Sequence, residues 1–388
     1  MIATTLRLPQ PDGSRRPFVP SDVTRWPLTP QAPARSRVAY AAAHVVADPL
    51  AARDPVAGGG IDWEATLAFR RHLWSLGLAI ADAMDTAQRG MGLAAADARE
   101  LMRRCAAEAH ACGGVVAFGA ATDDLDPAGD HDLAAIERAY AAQCEFIEAQ
   151  GCAAIVMASR ALARTARGAD DYERVYATTL GALSRPAILH WLGPMFDPQL
   201  AGYWGSADLD AATETFVAIV RANVAKVEGV KISLLDAQRE IALRRALPPS
   251  VRVYTGDDFN YPELIAGDGA HHSDALLGIF DAIAPAARAA LAALDAGDRA
   301  RYDAILAPTV ALSRHLFAAP TYAYKTGIVF LAYLNGFQSH FRMLGGAEGF
   351  RSILHLSRAL ELADAAGLIV DPDRAAERMA RILAVAGL

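Results

Sequence analysis

From Arg37 to about residue 285, short apolar runs alternate with stretches whose apolar residues recur at helical spacing. The runs are Arg37–Val46, Leu76–Ala83, Gly114–Gly119, Ala153–Ala158, Pro186–Trp191, Val227–Ser233, Val251–Thr255 and Ala270–His272. Between them, Asp62 can cap a helix carrying Trp63, Leu67, Phe69, Leu73 and Trp74. A second amphipathic stretch runs from Ala134 to Gln150, and Asp208 can cap a third with Phe216, Ile219, Val220 and Val224. Strands separated by helices pair in parallel, and eight of them close most economically into a (βα)8 TIM barrel. An open doubly wound sheet is the alternative, but no G-x-G-x-x-G follows the first run. Beyond about Pro285 the alternation stops, and Ala286–Leu294, Ala300–Ala318, Tyr322–Leu344, Glu348–Ala366 and Pro372–Ala386 all read as helices. We therefore expect an α/β fold: a TIM barrel over residues 37–285 and a C-terminal helical bundle over residues 286–388. The first 36 residues form an aperiodic arm containing Pro, Arg and Thr, expected to be loosely ordered or wrapped round a neighbour.

Composition narrows the function classes. With 388 residues, 53% hydrophobic, the chain is long enough for a large barrel plus an appendage, or for two ordinary domains. Its net charge of −7 and the lack of a basic run interleaved with aromatics argue against nucleic acid as a partner. No apolar stretch is long enough to cross a bilayer, so no membrane partner is expected. The N-terminus lacks a basic region followed by an apolar core, so no signal peptide is expected. Cys105, Cys112, Cys144 and Cys152 have neither C-x-x-C spacing nor histidines at metal-ligand spacing. They read as reduced thiols of a cytoplasmic protein.

The candidate chemistry centres on the run V-E-G-V-K-I-S, residues 227–233, which sets Lys231 inside an apolar strand. A buried ammonium is costly, so such a site depresses the lysine pKa. A neutral amine at the mouth of a barrel can attack a ketone and form a Schiff base. The alternative is a lysine whose stem is buried while its ammonium reaches the rim. The next strand, V-Y-T-G-D-D-F-N, residues 253–260, opens onto a polar loop.

In order and spacing these motifs resemble the dihydrodipicolinate synthase and N-acetylneuraminate lyase superfamily, the class I Schiff-base lyases and aldolases, over Arg37–Leu388. R-V-A-Y-A-A-A-H-V-V-A-D-P, residues 37–49, resembles the family's first strand and turn. E-G-V-K-I-S resembles its G-I/V-K-[ED]-[AS] strand, placing Lys231 on the Schiff-base lysine, although Ile232 stands where the family has an acid. Y-T-G-D-D, residues 254–258, matches an S/N-G-D-D strand ending, and A-G-D-G-A-H-H-S, residues 266–273, is similar to the eighth-strand entry. P-T-Y-A-Y-K-T-G, residues 320–327, resembles a P-x-P-V-K segment that opens a late helix.

The departures bear on substrate. Where the family has G-T/S-T-G-E to hold a 2-keto acid carboxylate, this chain has A-D-A-M-D-T-A-Q-R-G-M-G, residues 81–92. Thr86 stands for the hydroxyl pair, Asp82 and Asp85 would repel a carboxylate, and Arg89 could compensate. The proton-shuttling tyrosine of the family's fifth strand is replaced by His190 in I-L-H-W-L-G-P, a competent general acid/base. The resemblance thus implies a lyase or aldolase acting on a small keto acid or keto sugar derivative, in carbohydrate metabolism. Lys231 and His190 would be catalytic. Asp257, Asp258 and Asn260 would accept bonds from substrate hydroxyls, with Thr86, Arg89, Ser233 and His272 completing the pocket. No organic cofactor is expected, and a homo-oligomer is.

Other polar residues expected at the strand ends have plainer readings beside the functional one. His44 fits a hydrogen-bonded core histidine, His271 and His272 point opposite ways so that at most one faces a site, and Asp123, Asp124 and Asp126 fit a solvated loop. Two other functions fit the same residues. Asp82, Asp85, His190 and Asp257, with His272, could converge on a divalent metal in a sugar isomerase or epimerase, although Lys231 would sit among them. A non-catalytic ligand-binding homologue that lost the shuttle tyrosine is the third.

Overall fold

Eight short runs rich in Ala, Val, Ile and Leu have no polar face to offer solvent, which suits strands covered on both sides. The computed structural model of the chain, which describes residues 5–21, 26–126 and 129–388, closes them into one parallel barrel in chain order. They are β1 Ala39–Ala42, β2 Ala79–Asp82, β3 Val116–Ala120, β4 Ala153–Val156, β5 Ala187–Leu192, β6 Val227–Ser233, β7 Arg252–Thr255 and β8 Asp274–Leu277. Tyr40, Ala42, Ala81, Ala117, Ile155, Ile188, Tyr254 and Leu276 point inward and fill the barrel, while the intervening residues pack on the helix ring. This is the expected TIM barrel.

Most of the helices begin where capping side chains satisfy the first free amides. Asp62 accepts from Ala65 N and opens α1 (Trp63–Ser75); Asp132 opens α3 (Leu133–Ala149), after α2 (Ala95–Cys112). Ser159 opens α4 (Arg160–Thr165), which is followed by α5 (Ala169–Ala182). Asp208 opens α6 (Leu209–Ala222) and Asp236 opens α7 (Ala237–Ala246). After α8 (Tyr261–Ala266) comes β8, and directly on it α9 (Ile279–Asp295), then α10 (Arg299–Leu316), α11 (Tyr324–Leu334), α12 (Ile353–Ala365) and α13 (Pro372–Val385). Among the described residues no helix is long and apolar enough to cross a membrane.

Several expectations are corrected. The eighth strand lies at Asp274–Leu277 rather than Ala270–His272, because Asp268 accepts from Ala270 N and His271 N and so closes a turn there. The helix expected at Ala286 starts at Ile279 and continues through Pro285, with a non-helical Ile283 at the kink. The single helix expected over Tyr322–Leu344 stops at Leu334, where Gly336 takes a left-handed φ of 89°. The described part of the arm packs on its own chain. Leu6–Pro9 and Arg15–Phe18 form an antiparallel hairpin, and Leu6 and Leu8 are buried where that first strand meets α12 and α13. Ser21 then bonds Asp364, Trp26 bonds the Ala366 carbonyl, and Arg35 and Ser36 donate their amides to Asp295.

Two buried acids tie helices to the barrel. Arg70 of α1 grips Asp82 of β2 through Nε at 3.0 Å and Nη2 at 2.8 Å, and both side chains are 0% exposed. Glu240 of α7 accepts from Thr255 Oγ1 at 3.0 Å and Ser273 Oγ at 2.7 Å. Burial pushes the Glu240 carboxyl up to about 8, against the pull of those two hydroxyls. Because the folded value lies above the ordinary 4.5, the stability that the protonated acid contributes is full below pH 4.5 and drains away as pH rises to 8. Glu240→Gln, which stays neutral, should therefore gain on the wild type steadily across that window. Urea unfolding at a series of pH values reads this directly, and a constant difference between the two proteins would refute it.

Candidate active site

Lys231 lies in β6 with its Cα in register with His190 of β5 and Tyr254 of β7. Residues in register on neighbouring parallel strands point to the same side, and Tyr254 fills the barrel interior. Lys231 and His190 therefore stand side by side inside the barrel, near the C-terminal ends of the strands. Gly256, just past β7, makes this possible. A Cβ there would lie 2.2 Å from Ser233 Oγ and 2.9 Å from Lys231 Cε, so only glycine leaves the lysine its path.

The lysine is 5% exposed and makes no hydrogen bond or ion pair among the described residues. Burial holds its ammonium below the ordinary lysine range, opposed by Asp85 and Asp258. Asp258, 3% exposed, is pushed up to about 8 by burial, with Asp257 and Asp85 adding to the rise, although its Oδ1 accepts from Ile279 N at 2.9 Å. Amine and acid are thus both biased toward their neutral forms. His190 is neutral as well: burial drives it well below its ordinary value, and Lys231 adds to the effect while Asp85 opposes it. Its Nε2 lies 3.1 Å from Ser233 Oγ, and its buried Nδ1 has no partner among the described residues.

A second layer comes from the loop after β2 and from α11. Tyr324 OH donates to Asp85 Oδ2 at 2.8 Å. A phenol has one proton, so the 2.6 Å contact with Thr86 Oγ1 is donated by the threonine. Lys325, 3% exposed, sits 4.0 Å from Asp85 and donates to the Tyr322 carbonyl at 3.1 Å. Burial favours the neutral acid of Asp85, yet Lys325 foremost and the Tyr324 hydroxyl outweigh it, with Lys231 and His190 contributing only in their charged forms, and the carboxyl titrates below its ordinary range. The loop is fastened to the C-terminal segment by Gln88, whose Nε2 donates to Leu344 O at 2.8 Å and whose Oε1 accepts from Leu344 N at 3.2 Å. Tyr324 and Lys325 were not singled out as site residues from the sequence. A Y-K-T triplet inside the otherwise apolar, wholly buried α11 was the available signal.

A cavity of about 300 Å³ opens at the ends of β2 to β5. Its walls include Asp85, Arg89, Asp123, Met157, Ser159, Arg160, Leu192, Phe196, Asp197 and Lys325. Lys231 is not part of the wall. Asp85 and Lys325 are the residues that both line the cavity and interact electrostatically with it.

Other expected site residues fall elsewhere. Arg89 reaches the cavity, but its guanidinium has no donor left for a substrate carboxylate. Nε and Nη2 bond Asp123 at 2.8 and 2.7 Å, Nη2 also bonds Gln143 Oε1 at 2.9 Å, and Nη1 bonds the carbonyls of Ala83 and Gly119. Asp123, expected in a solvated loop, is the other half of that ion pair. Asp257 spends both oxygens on its own turn, accepting from Phe259 N, Asn260 N and Asn260 Nδ2, while Asn260 Oδ1 accepts from Arg314. Of the three loop residues only Asp258 interacts with Lys231. His272 precedes β8 and is exposed at the opposite, N-terminal end of the barrel. His44 is a core histidine, 2.8 Å from Asp281. The alternative metal set is dispersed: Asp82 faces α1, Asp257 closes its turn, and only Asp85 and His190 are neighbours. Among the described residues no group of three or more His, Cys, Asp or Glu is placed to hold a metal ion.

No curated protein matches the chain. Several solved structures share its fold. A prophage protein of the dihydrodipicolinic acid synthase family from E. coli K12, in complex with pyruvate, superposes with a TM-score of 0.66 at 13% identity, covering 86% of this chain and 99% of that one. Dihydrodipicolinate synthase from Aquifex aeolicus gives 0.64 at 14% identity over 86% and 99% of the two chains. The Acinetobacter baumannii enzyme complexed with pyruvate gives 0.61 at 16% identity over 86% and 100%. The expected superfamily likeness is thus present, and at these identities it is a likeness of fold. The arm and its hairpin fall inside a closer kinship: the model of one family spans residues 6–388, and the chain belongs to that family, described as "Protein of unknown function (DUF993)".

Proposed function

We propose that this protein is a Schiff-base-forming lyase or aldolase that acts on a small keto acid or keto sugar derivative through Lys231. The observation that carries the reading is a lysine inside the barrel, biased toward the free amine, with no hydrogen-bond partner among the described residues to hold its lone pair away from a carbonyl. Nζ adds to the carbonyl carbon to form a C–N bond, and the oxygen becomes a hydroxyl that leaves as water, giving an iminium. Asp258, protonated near neutrality, is the nearby acid suited to supply the proton for that departure. The iminium then accepts the electron pair of an adjacent bond as that bond breaks, or stabilises the nucleophile when one forms.

His190 takes or returns a proton at the substrate through Nδ1, the imidazole nitrogen that Ser233 does not occupy; the Nε2 contact with Ser233 supports this reading. Asp85, Tyr324 and Thr86 form a second hydroxyl–carboxylate chain beside the amine. The Asp85–Lys325 pair keeps one charge of each sign at the cavity wall.

Borohydride reduction in the presence of a panel of keto acids and keto sugars tests this. A single adduct mapping to the peptide that contains Lys231 is expected. No adduct with any member of the panel, alongside saturable binding of one of them, would favour a binding protein that keeps the barrel without the chemistry.

A further inference from the structure

Among the described residues three cations line the cavity, and each has a carboxylate: Arg89 with Asp123, Lys325 with Asp85 and Arg160 with Asp197. They differ in what remains unused. Arg89 has spent every donor, and Lys325 is buried against Asp85. Arg160 gives only Nε–H to Asp197 Oδ2, at 2.6 Å, and neither Nη nitrogen has a hydrogen bond among the described residues. Its side chain is 36% exposed, so the free edge of the guanidinium meets the cavity rather than the core.

The fork is also fixed in place. Asp197 Oδ1 accepts from Gln199 N at 3.1 Å, which leaves Oδ2 to aim the arginine. Gly90, with φ of +74°, brings bare backbone against the guanidinium, and a Cβ there would lie 3.4 Å from both Nη atoms. Leu192, Phe196 and Met157 add apolar wall to the cavity, beside the polar Thr122, Ser159 and Asp126. A held guanidinium with two unpaired N–H groups on one edge matches the two oxygens of a carboxylate or phosphate.

We propose that Arg160 anchors an anionic end group of the substrate, so that the ligand is a short carbonyl compound with a carboxylate or phosphate at the end away from the reacting carbon. This deepens the Schiff-base reading and rests on it for the identity of the reacting carbon. It moves anion recognition from the loop after β2, where Arg89 is sequestered, to the end of β4.

Calorimetric titration with inorganic phosphate and, separately, with malonate reads the anchor without any chemistry at Lys231. The wild type should bind at least one anion saturably, and the preferred one tells phosphate from carboxylate. Arg160→Gln should weaken it roughly ten- to a hundredfold, the loss expected for charge-assisted hydrogen bonds, with Arg160→Lys in between. Absence of saturable binding by the wild type, or equal affinity in Arg160→Gln, overturns the proposal. If Arg160→Gln does not fold, Arg160→Lys decides by the same criterion, because a point charge cannot make the two-pronged contact. Borohydride trapping separates the two readings. Anion binding that depends on Arg160 without any trapped adduct defeats the lyase and leaves the anchor. Trapping at Lys231 that Arg160→Gln impairs equally for anionic and uncharged ketones defeats the anchor and leaves the lyase.

Discussion

Lys231→Met should abolish borohydride-trapped adducts and lower turnover by roughly 10⁴-fold or more, the scale seen when a nucleophile is removed. Methionine keeps most of the length and the apolar stem of a buried lysine, so the melting temperature should change little. Lys231→Arg should be as inactive, because a guanidinium stays protonated and cannot add to a carbonyl. It should also be less stable, since it forces a permanent charge into a site that favours neutral forms. Intact mass after reduction is the readout. A second buried lysine, Lys325, stands on the cavity wall, which makes the comparison decisive. An adduct that survives in Lys231→Met and disappears in Lys325→Met would move the nucleophile from β6 to α11.

Asp82→Ala should cost about 3–5 kcal/mol of stability, because it strands the Arg70 guanidinium in the core. Arg70 is 0% exposed, and its remaining partners are the carbonyls of His44 and Thr66. Replacing both, as Arg70→Met with Asp82→Leu, should recover most of the loss, since apolar side chains need no partner there. Urea denaturation measures the two values. A loss under about 1 kcal/mol for the single variant would mean that water reaches the pair and that the carboxylate is free for another role.

The barrel was legible in the sequence because its evidence is local and repeated. Uninterrupted apolar runs need cover on both faces, and Asp62 and Asp208 cap helices just where the helical spacing begins. Lys231 was legible for the same reason, since a lone cation in V-E-G-V-K-I-S is anomalous whatever surrounds it. The eighth strand was misplaced because D-A-L-L is short and begins with a charge, and that charge is satisfied by the strands on either side, at Val38 N just before β1 and at Arg252 of β7.

The site's composition followed a different logic. The sequence could say that Arg89, Asp82, Asp257 and His272 carry chemistry, but not which way each one turns. Asp82 and Asp85 are three residues apart, yet one closes an ion pair with α1 and the other faces the amine. Arg89 resembled an anion binder until its donors met Asp123, Gln143 and two carbonyls. Tyr324 and Lys325, separated from Asp85 by most of the chain, become its neighbours only when the C-terminal helices fold over the barrel mouth. The sequence by itself determined seven of the eight strands, their parallel order and the nucleophile candidate, because periodicity and buried charge are properties of a few adjacent residues. Which polar groups remain free was decided by tertiary structure alone, because a side chain's availability depends on partners that the chain brings from far away.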